Sequence, residues 1–227
     1  MEESTTREKI LKKIRAALLN ISPDPYPRID HLSHVFNQSD EDPVIVFSEH
    51  FMEAGGKFVL CENELEFVEG LLNLAERYKW TNIYCGEDGL SNLLTECEFP
   101  HEYEIDREDL DVTISSCECL IARSGTIVIS SRLNGFVLPA YSRVHVVCAR
   151  SSQIAMEMKD ALHWLKHQYG KLPAGTTFIT GPSSYNIAAD DLKSAGHASE
   201  QLYIFLIDDK DRGFIESAPE EQPGKEE

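Results

Sequence analysis

The stretch KFVLCENELEFVEGLLNLAERYKWTNIYCG, residues 57–86, predicts a strand, a helix and a second strand in succession. Its first run, KFVLC, is apolar without strict polar alternation, which is typical of a strand buried on both faces of a parallel sheet. A helix is expected across ELEFVEGLLNLAERY, and NIYCG follows as the next strand. This strand–helix–strand unit indicates an α/β fold with a mainly parallel sheet flanked by helices.

The alternation of strands and helices extends in both directions from this unit. Upstream, PVIVF predicts a strand, and a short helix that Gly55-Gly56 would end follows it. Downstream, VTISSCECLIARSGTIVISS (112–131) contains only extended-favouring segments and a Ser124-Gly125-Thr126 break, which predicts a hairpin or bent strand. The further elements expected are a short helix near 88–96, the strand VHVVCAR, a helix from about Ser152 to Tyr169, the strand TTFITG, a short helix and the strand LYIFLID.

Three regions follow from these patterns. Residues 1–39 predict an N-terminal helix and a linker, because a helical stripe of apolar residues stops at SPDPYP. Residues 40–208 hold the α/β domain. Residues 209–227 are rich in acidic residues, with Pro and Gly, and predict an acidic flexible tail.

Charge and cysteine usage restrict the function. The chain of 227 residues has 39 acidic and 21 basic residues and a formal net charge of -18, which excludes nucleic acid and an anionic membrane as expected partners. No apolar stretch approaches the length of a membrane span and no signal-peptide core is present, so a cytoplasmic location is expected. The six cysteines contain no CxxC pair, and we expect buried reduced thiols, no metal and no cofactor.

Two glycine-containing segments are candidate ligand sites. Gly181-Pro182-Ser183 follows a predicted strand, where a sharp turn and free backbone N–H groups could hold a carboxylate or phosphate. Ser124-Gly125-Thr126 offers N–H donors beside hydroxyl groups. For each segment the alternative is a turn without a ligand, a capped turn in the first case and a hairpin turn in the second.

Several charged side chains could complete such a site. His197 follows a glycine and precedes a predicted strand, where it would bind an anion or act as a loop residue. Arg123, Arg132 or Arg143 could supply the positive charge for an acidic ligand. We expect the two segments and His197 to line one pocket. His145 is expected to be either chemically active or a hydrogen-bonded core histidine.

Four linked segments resemble the LUD-domain family, the LutC/YkgG-like lactate utilisation proteins. They are CECLIARSGTIVISS, LPAYSRVHVV, FITGPSS and GHASEQLYIFLID, and the resemblance covers roughly residues 40–208. His197 matches a histidine of the family pattern. The acidic residue and Thr-Gly-Thr of the first family segment are replaced here by Arg123-Ser124-Gly125-Thr126.

The resemblance implies a fold similar to that of the NagB/RpiA/CoA-transferase proteins. It also implies a subunit or accessory protein of an iron–sulfur system that oxidises L-lactate to pyruvate, with iron–sulfur partner subunits holding the redox centres. A small carboxylate is the ligand expected at Ser124, Gly125, Thr126, Arg132, Gly181, Ser183 and His197. The alternatives are a stand-alone isomerase, transferase or ligase acting on a phosphorylated or CoA-linked metabolite, and a non-catalytic interaction protein.

Overall fold

The structure is a computed structural model that describes residues 7, 10–13, 15, 41–103, 110–134, 142–182, 199–209 and 215. Contacts divide the chain into two units, Met1–Asp40 and Glu41–Glu227. In the first unit, residues 7, 10–13 and 15 are helical and exposed. Among the described residues, no helix combines the length and the hydropathy needed to cross a membrane.

The second unit alternates helices and strands. Its described helices are α1 (Pro43–Glu53), α2 (Glu64–Tyr78), α3 (Asp88–Glu96), α4 (Ser131–Asn134) and α5 (Met158–Tyr169). Its described strands are β1 (Lys57–Cys61), β2 (Ile83–Tyr84), β3 (Val112–Ser116), β4 (Cys119–Ile121), β5 (Thr126–Ser130), β6 (Val144–Arg150), β7 (Ile154–Ala155), β8 (Thr176–Ile179) and β9 (Gln201–Ile207). Short 3-10 turns occupy Ala122–Ser124 and Ser151–Gln153.

These strands form two sheets. The five-stranded sheet has the order β1-β9-β6-β3-β2, and its strand pairs are parallel, which confirms the predicted mainly parallel sheet. The four-stranded sheet has the order β7-β4-β5-β8; β5 runs antiparallel to β4 and β8, while β4 and β7 are parallel. The β4–β5 pair is the hairpin that the 112–131 stretch predicts.

Three apolar clusters hold these layers together. Helices α2 and α3 pack on one face of the parallel sheet through residues such as Phe67, Leu94 and Phe205. Helix α1 shares a second cluster with strands of both sheets. Helix α5 covers the four-stranded sheet through Ala161 and Leu165. The result is an α/β fold in which helices flank both sheets. The second cluster joins the two sheets.

The predicted strand PVIVF is instead the first part of helix α1. Asp42 caps this helix, because its Oδ1 accepts a hydrogen bond from the Val44 backbone N at 2.9 Å, and Pro43 occupies the first helical turn. The buried residues Val46, Phe47 and Phe51 lie on the same side of the helix. A short apolar run does not distinguish a strand from a buried helical turn, which is why the prediction was wrong.

The helix predicted from Ser152 also begins later than expected. Ile154 and Ala155 extend as β7, because they pair with Leu120 and Ile121 of β4, and α5 starts only at Met158. Tertiary pairing therefore overrides helical propensity at this point. The short helix expected between TTFITG and LYIFLID falls outside the described residues.

His145 is a core histidine. It lies on β6 and is 1% exposed, and its Nε2 is 2.8 Å from Ser115 Oγ on the neighbouring strand β3. Burial lowers the pKa of His145 from 6.5 to about 3, since the charged imidazolium would lose its hydration there. The ring is therefore neutral in the folded protein throughout the physiological pH range.

This burial makes stability dependent on pH. Between pH 6.5 and about 3 the unfolded chain binds a proton at His145 that the folded chain does not bind, so stability falls as the pH falls through this window. His145 alone should contribute a loss of about 1.4 kcal/mol per pH unit. Urea unfolding of the wild-type chain and of His145→Asn, measured from pH 7 to 4, should show a smaller pH slope for the variant. Equal slopes would contradict this assignment.

Candidate functional site

The two glycine segments singled out in the sequence lie side by side. The Ser124-Gly125-Thr126 loop precedes β5 and Gly181 follows β8, and these strands pair antiparallel with Ile127 opposite Ile179. The beginning of β5 therefore meets the end of β8. Both segments belong to the four-stranded sheet, and both lie at strand ends as the sequence predicts, although the Gly181-Pro182-Ser183 turn was expected to follow a strand of the parallel sheet.

Three hydroxyl groups connect the two segments. Thr126 Oγ1 lies 2.8 Å from Thr180 Oγ1 and 2.7 Å from Ser124 Oγ. Thr126 is 2% exposed, whereas Ser124 and Thr180 are exposed. We call Ser124, Thr126 and Thr180 the hydroxyl cluster.

The hydroxyl cluster has the chemistry of a hydrogen-bond donor site. The two contacts inside it use two of the three hydroxyl protons, because each hydroxyl donates once and accepts up to twice. Thr126 Oγ1 also donates to the Ser124 backbone O at 3.4 Å, so an outside acceptor such as a carboxylate oxygen gains a proton by replacing this long contact. Thr180 was missed as a site residue, although its position directly before Gly181 is a signal that could have identified it.

Helix α1 is the close neighbour of both glycines. Gly125 has φ 57°, and a Cβ at this position would lie 2.5 Å from the Phe51 backbone N. Gly181 has φ 116°, and a Cβ there would lie 2.5 Å from the Ala54 backbone O. Glycine is thus needed at both positions for the end of α1 to approach. The ligand approach that the sequence suggested for these glycines stays a prediction.

His50, on the last turn of α1, is tied to the same loop. Its Nδ1 lies 2.9 Å from the Val46 backbone O and 3.2 Å from the Ala122 backbone O. Because carbonyl oxygens only accept, Nδ1 carries the proton, and Nε2 is the acceptor nitrogen of the neutral ring. His50 was missed as a site residue, since its segment was interpreted as following a strand.

The remaining predicted site residues are Arg132, Ser183 and His197. Ser183 and His197 lie outside the described residues. Arg132 follows β5 at its far end, and five strand residues at about 3.3 Å each separate it from Gly125 by about 17 Å. The structure therefore brings together Ser124, Gly125, Thr126 and Gly181 but not Arg132.

Arg132 lies instead beside a buried carboxylate. Glu118 is 3% exposed and accepts hydrogen bonds from Ser130 Oγ and, at 2.9 Å, from Tyr169 OH. The Arg132 guanidinium is 5.5 Å from the centroid of the Tyr169 ring. Burial, followed by the hydrogen bond to Glu118, raises the pKa of Tyr169 to about 12. A single acidic residue within the apolar run CECLI is the sequence signal for this cluster.

The other two candidate arginines are paired with acids. Arg123 Nη2 lies 3.5 Å from Glu157 Oε1, and both side chains are partly buried. Arg143 Nη2 lies 3.3 Å from Glu200 Oε2 at the surface. His163 and His167 are exposed on α5, and no group of His, Cys, Asp and Glu suited to a metal ion occurs among the described residues.

Polar residues also follow the carboxyl ends of the parallel strands, where ligands of open α/β sheets commonly bind. The Glu87 carboxylate accepts from the Ser116 backbone N at 2.8 Å and from Ser116 Oγ at 2.5 Å. Asp209 accepts from Ser151 Oγ at 2.7 Å and from Ser152 N at 2.8 Å. Burial would raise the pKa of Asp209, but these hydrogen bonds outweigh it and lower the pKa. Both carboxylates thus join neighbouring strand ends.

Comparison with known proteins supports the architecture and finds a family model that resembles part of the chain. Residues 101–207 match the sequence model of a family described as LUD domain. A crystal structure of a DUF162 family protein from Deinococcus radiodurans is similar over 75% of this chain and 99% of that chain, with a TM-score of 0.55 and 14% sequence identity, which shows a shared fold. No curated protein sequence matches the chain.

The contact between α1 and the glycine turns can be tested by adding a methyl group. Gly125→Ala and Gly181→Ala should each lower the free energy of unfolding by about 2 kcal/mol or more, because the Cβ meets helix backbone and the φ angle is unfavourable. Gly89→Ala is the matched control, since a Cβ at Gly89 meets nothing within 4 Å. It should be neutral or stabilising by up to about 1 kcal/mol. Urea unfolding measures all three, and equal effects would refute the contact.

Proposed function

Because the chain carries a LUD domain over residues 101–207, we propose that it is a LutC-like subunit or accessory protein of an iron–sulfur system that oxidises L-lactate to pyruvate. In this proposal the chain binds a small carboxylate, and partner subunits hold the iron–sulfur centres. Both parts rest on the LUD-domain resemblance together with the chemistry of the described side chains.

The hydroxyl cluster is the observation that supports carboxylate binding. Ser124 and Thr180 are exposed hydroxyls on two separate segments, and Thr126 links them at 2.7 and 2.8 Å. A hydroxyl donor of this cluster suits one oxygen of a carboxylate. His50 is tied to the same loop through the Ala122 backbone O, so its imidazole is a further polar group near the proposed ligand.

The burial of the cysteines supports the proposal that partner subunits, and not this chain, hold the redox centres. Iron–sulfur clusters are held by thiolates, but burial raises the pKa of Cys85, Cys119 and Cys148 to about 12. Burial also raises the pKa of Cys117 well above its ordinary value. These thiols are protonated near neutral pH and pack within or beside the apolar clusters, so they are poor cluster ligands.

Ligand binding should appear as thermal stabilisation. L-lactate or pyruvate should raise the melting temperature, since a ligand at 100 times its Kd adds about 2.7 kcal/mol to the free energy of unfolding. Thr180→Val should remove most of this rise, because it deletes an exposed hydroxyl of the cluster while leaving the shape of the side chain. Thr95→Val on α3 is the matched control and should keep the full rise, since Thr95 Oγ1 bonds only within its own helix.

Sugar phosphates and CoA, tested in the same way, distinguish the proposed function from the two alternatives. Stabilisation by sugar phosphates or CoA, without an effect of lactate or pyruvate, would favour the stand-alone enzyme. Absence of stabilisation by every class would refute carboxylate binding and favour the interaction protein.

The role in lactate oxidation is tested in the cell that encodes the chain. Deleting the gene should abolish growth on L-lactate and leave growth on pyruvate unchanged, because pyruvate enters metabolism after the oxidation step. A plasmid copy of the wild-type gene should restore growth. Normal growth of the deletion strain on L-lactate, with no second copy of the gene, would refute this role whatever the ligand measurements show.

A further inference from the structure

Cationic and aromatic side chains gather at the amino edge of the parallel sheet. Lys57 begins β1 and lies opposite Tyr203 of β9, while Arg77 and Tyr78 end helix α2 and Trp80 follows it. We call Lys57, Arg77, Tyr78, Trp80 and Tyr203 the amino-edge patch. It lies at the opposite end of the strands from the carboxyl edge, where parallel α/β sheets hold small ligands.

Hydrogen bonds link the polar members of the amino-edge patch. Lys57 Nζ donates to Tyr203 OH at 2.8 Å and to Gln201 Oε1 at 2.8 Å. Tyr203 OH has one proton, and its acceptors within reach are Gln201 Oε1 at 3.2 Å and Tyr78 OH at 3.4 Å. Tyr78 OH is therefore the outermost hydroxyl of this network.

The patch also concentrates positive charge in an acidic protein. Lys57 Nζ is 4.5 Å from the centroid of the Tyr203 ring, and the Arg77 guanidinium is 5.6 Å from that of Tyr78. Within the described part of the chain, neither Lys57 nor Arg77 forms an ion pair. The hydrogen bond from Tyr203, followed by the charge of Lys57, lowers the pKa of Tyr78. The positive charges of Lys57 and Arg77 favour an anionic partner.

The aromatic residues provide an exposed contact surface. Tyr78 is 41% exposed, and its ring stacks on Trp80 with 5.9 Å between centroids and an interplanar angle of 15°. Trp80 is partly buried against the core, which holds the pair in place. Tyr, Trp and Arg are the residues that contribute most often to the binding energy of protein interfaces.

We propose that the amino-edge patch is a docking site for an acidic segment of a protein partner. Its outward donors are the Lys57 ammonium and the Arg77 guanidinium, with the Tyr78 hydroxyl beside them, and these separate groups match several carboxylates along a chain better than one small anion. Charge complementarity is local to this patch, because the net charge of -18 would repel an acidic segment from the rest of the chain. This inference does not depend on the proposed role in lactate oxidation.

A short poly-glutamate peptide is the probe for this site. Trp80 reports binding by fluorescence in the Trp164→Phe chain, because the protein has two tryptophans, and calorimetry on the wild-type chain provides an independent measurement. Lys57→Met and Arg77→Gln should each weaken binding about tenfold, as expected for the loss of one charge-assisted contact. Lys159→Met and Lys166→Gln remove exposed lysines of α5 and are matched controls that should bind normally.

The outcomes separate the acidic segment from other ligands. Poly-glutamate binding that Lys57→Met and Arg77→Gln weaken, and that added salt also weakens, supports the proposal. Absence of poly-glutamate binding, or equal weakening by the α5 controls, overturns it. Binding of inorganic phosphate as tight as that of poly-glutamate also overturns it and indicates a site for small oxyanions.

Discussion

The packing of helix α1 between the two sheets is the interaction on which the rest of the structure depends. Phe47 and Phe51 are 0% exposed, and their rings stack with centroids 5.5 Å apart. They share one apolar cluster with Ile127 of the four-stranded sheet and Ile204 of the parallel sheet. Because burial of apolar surface is the main favourable term in folding, this helix fixes how the sheets meet. The same helix brings its last turn against Gly125 and Gly181, so the packing that joins the sheets also sets the geometry of the hydroxyl cluster.

The polar groups of the domain divide into those already satisfied and those that remain available. Glu118 is buried and accepts from Ser130 and Tyr169, and Glu87 accepts twice from Ser116. The hydrogen bonds that these carboxylates accept chiefly offset the free-energy cost of removing the carboxylates from water. The hydroxyls of Ser124 and Thr180 are exposed, and the 3.4 Å contact from Thr126 Oγ1 to the Ser124 backbone O is long enough for a ligand to replace it. This difference is why a ligand is proposed at the hydroxyl cluster and not at the better-buried acids.

Positively charged side chains have different surroundings in different parts of the molecule. Most surface charge is negative, and Arg123, Arg143 and Arg150 each pair with a glutamate. Among the described residues, Lys57 and Arg77 contact aromatic rings and form no ion pair with a carboxylate. The proposed acidic partner would bind at this patch in spite of the net charge, since electrostatic complementarity serves specificity and association rate.

The α/β class, most strands of the parallel sheet, helix α2 and the LUD-domain resemblance could be predicted from the sequence, because long apolar runs and helical periodicity are local signals. The segments around Gly125 and Gly181, which prove to be neighbours, were also predicted from it. Three features could not be predicted without the folded chain: PVIVF is helical, Ile154 and Ala155 pair as a strand, and Arg132 contacts the ring of Tyr169 at the far end of β5. Each of these depends on contacts between residues distant in the chain, and a short segment adopts whichever backbone conformation lets it bury its side chains and pair its hydrogen bonds there.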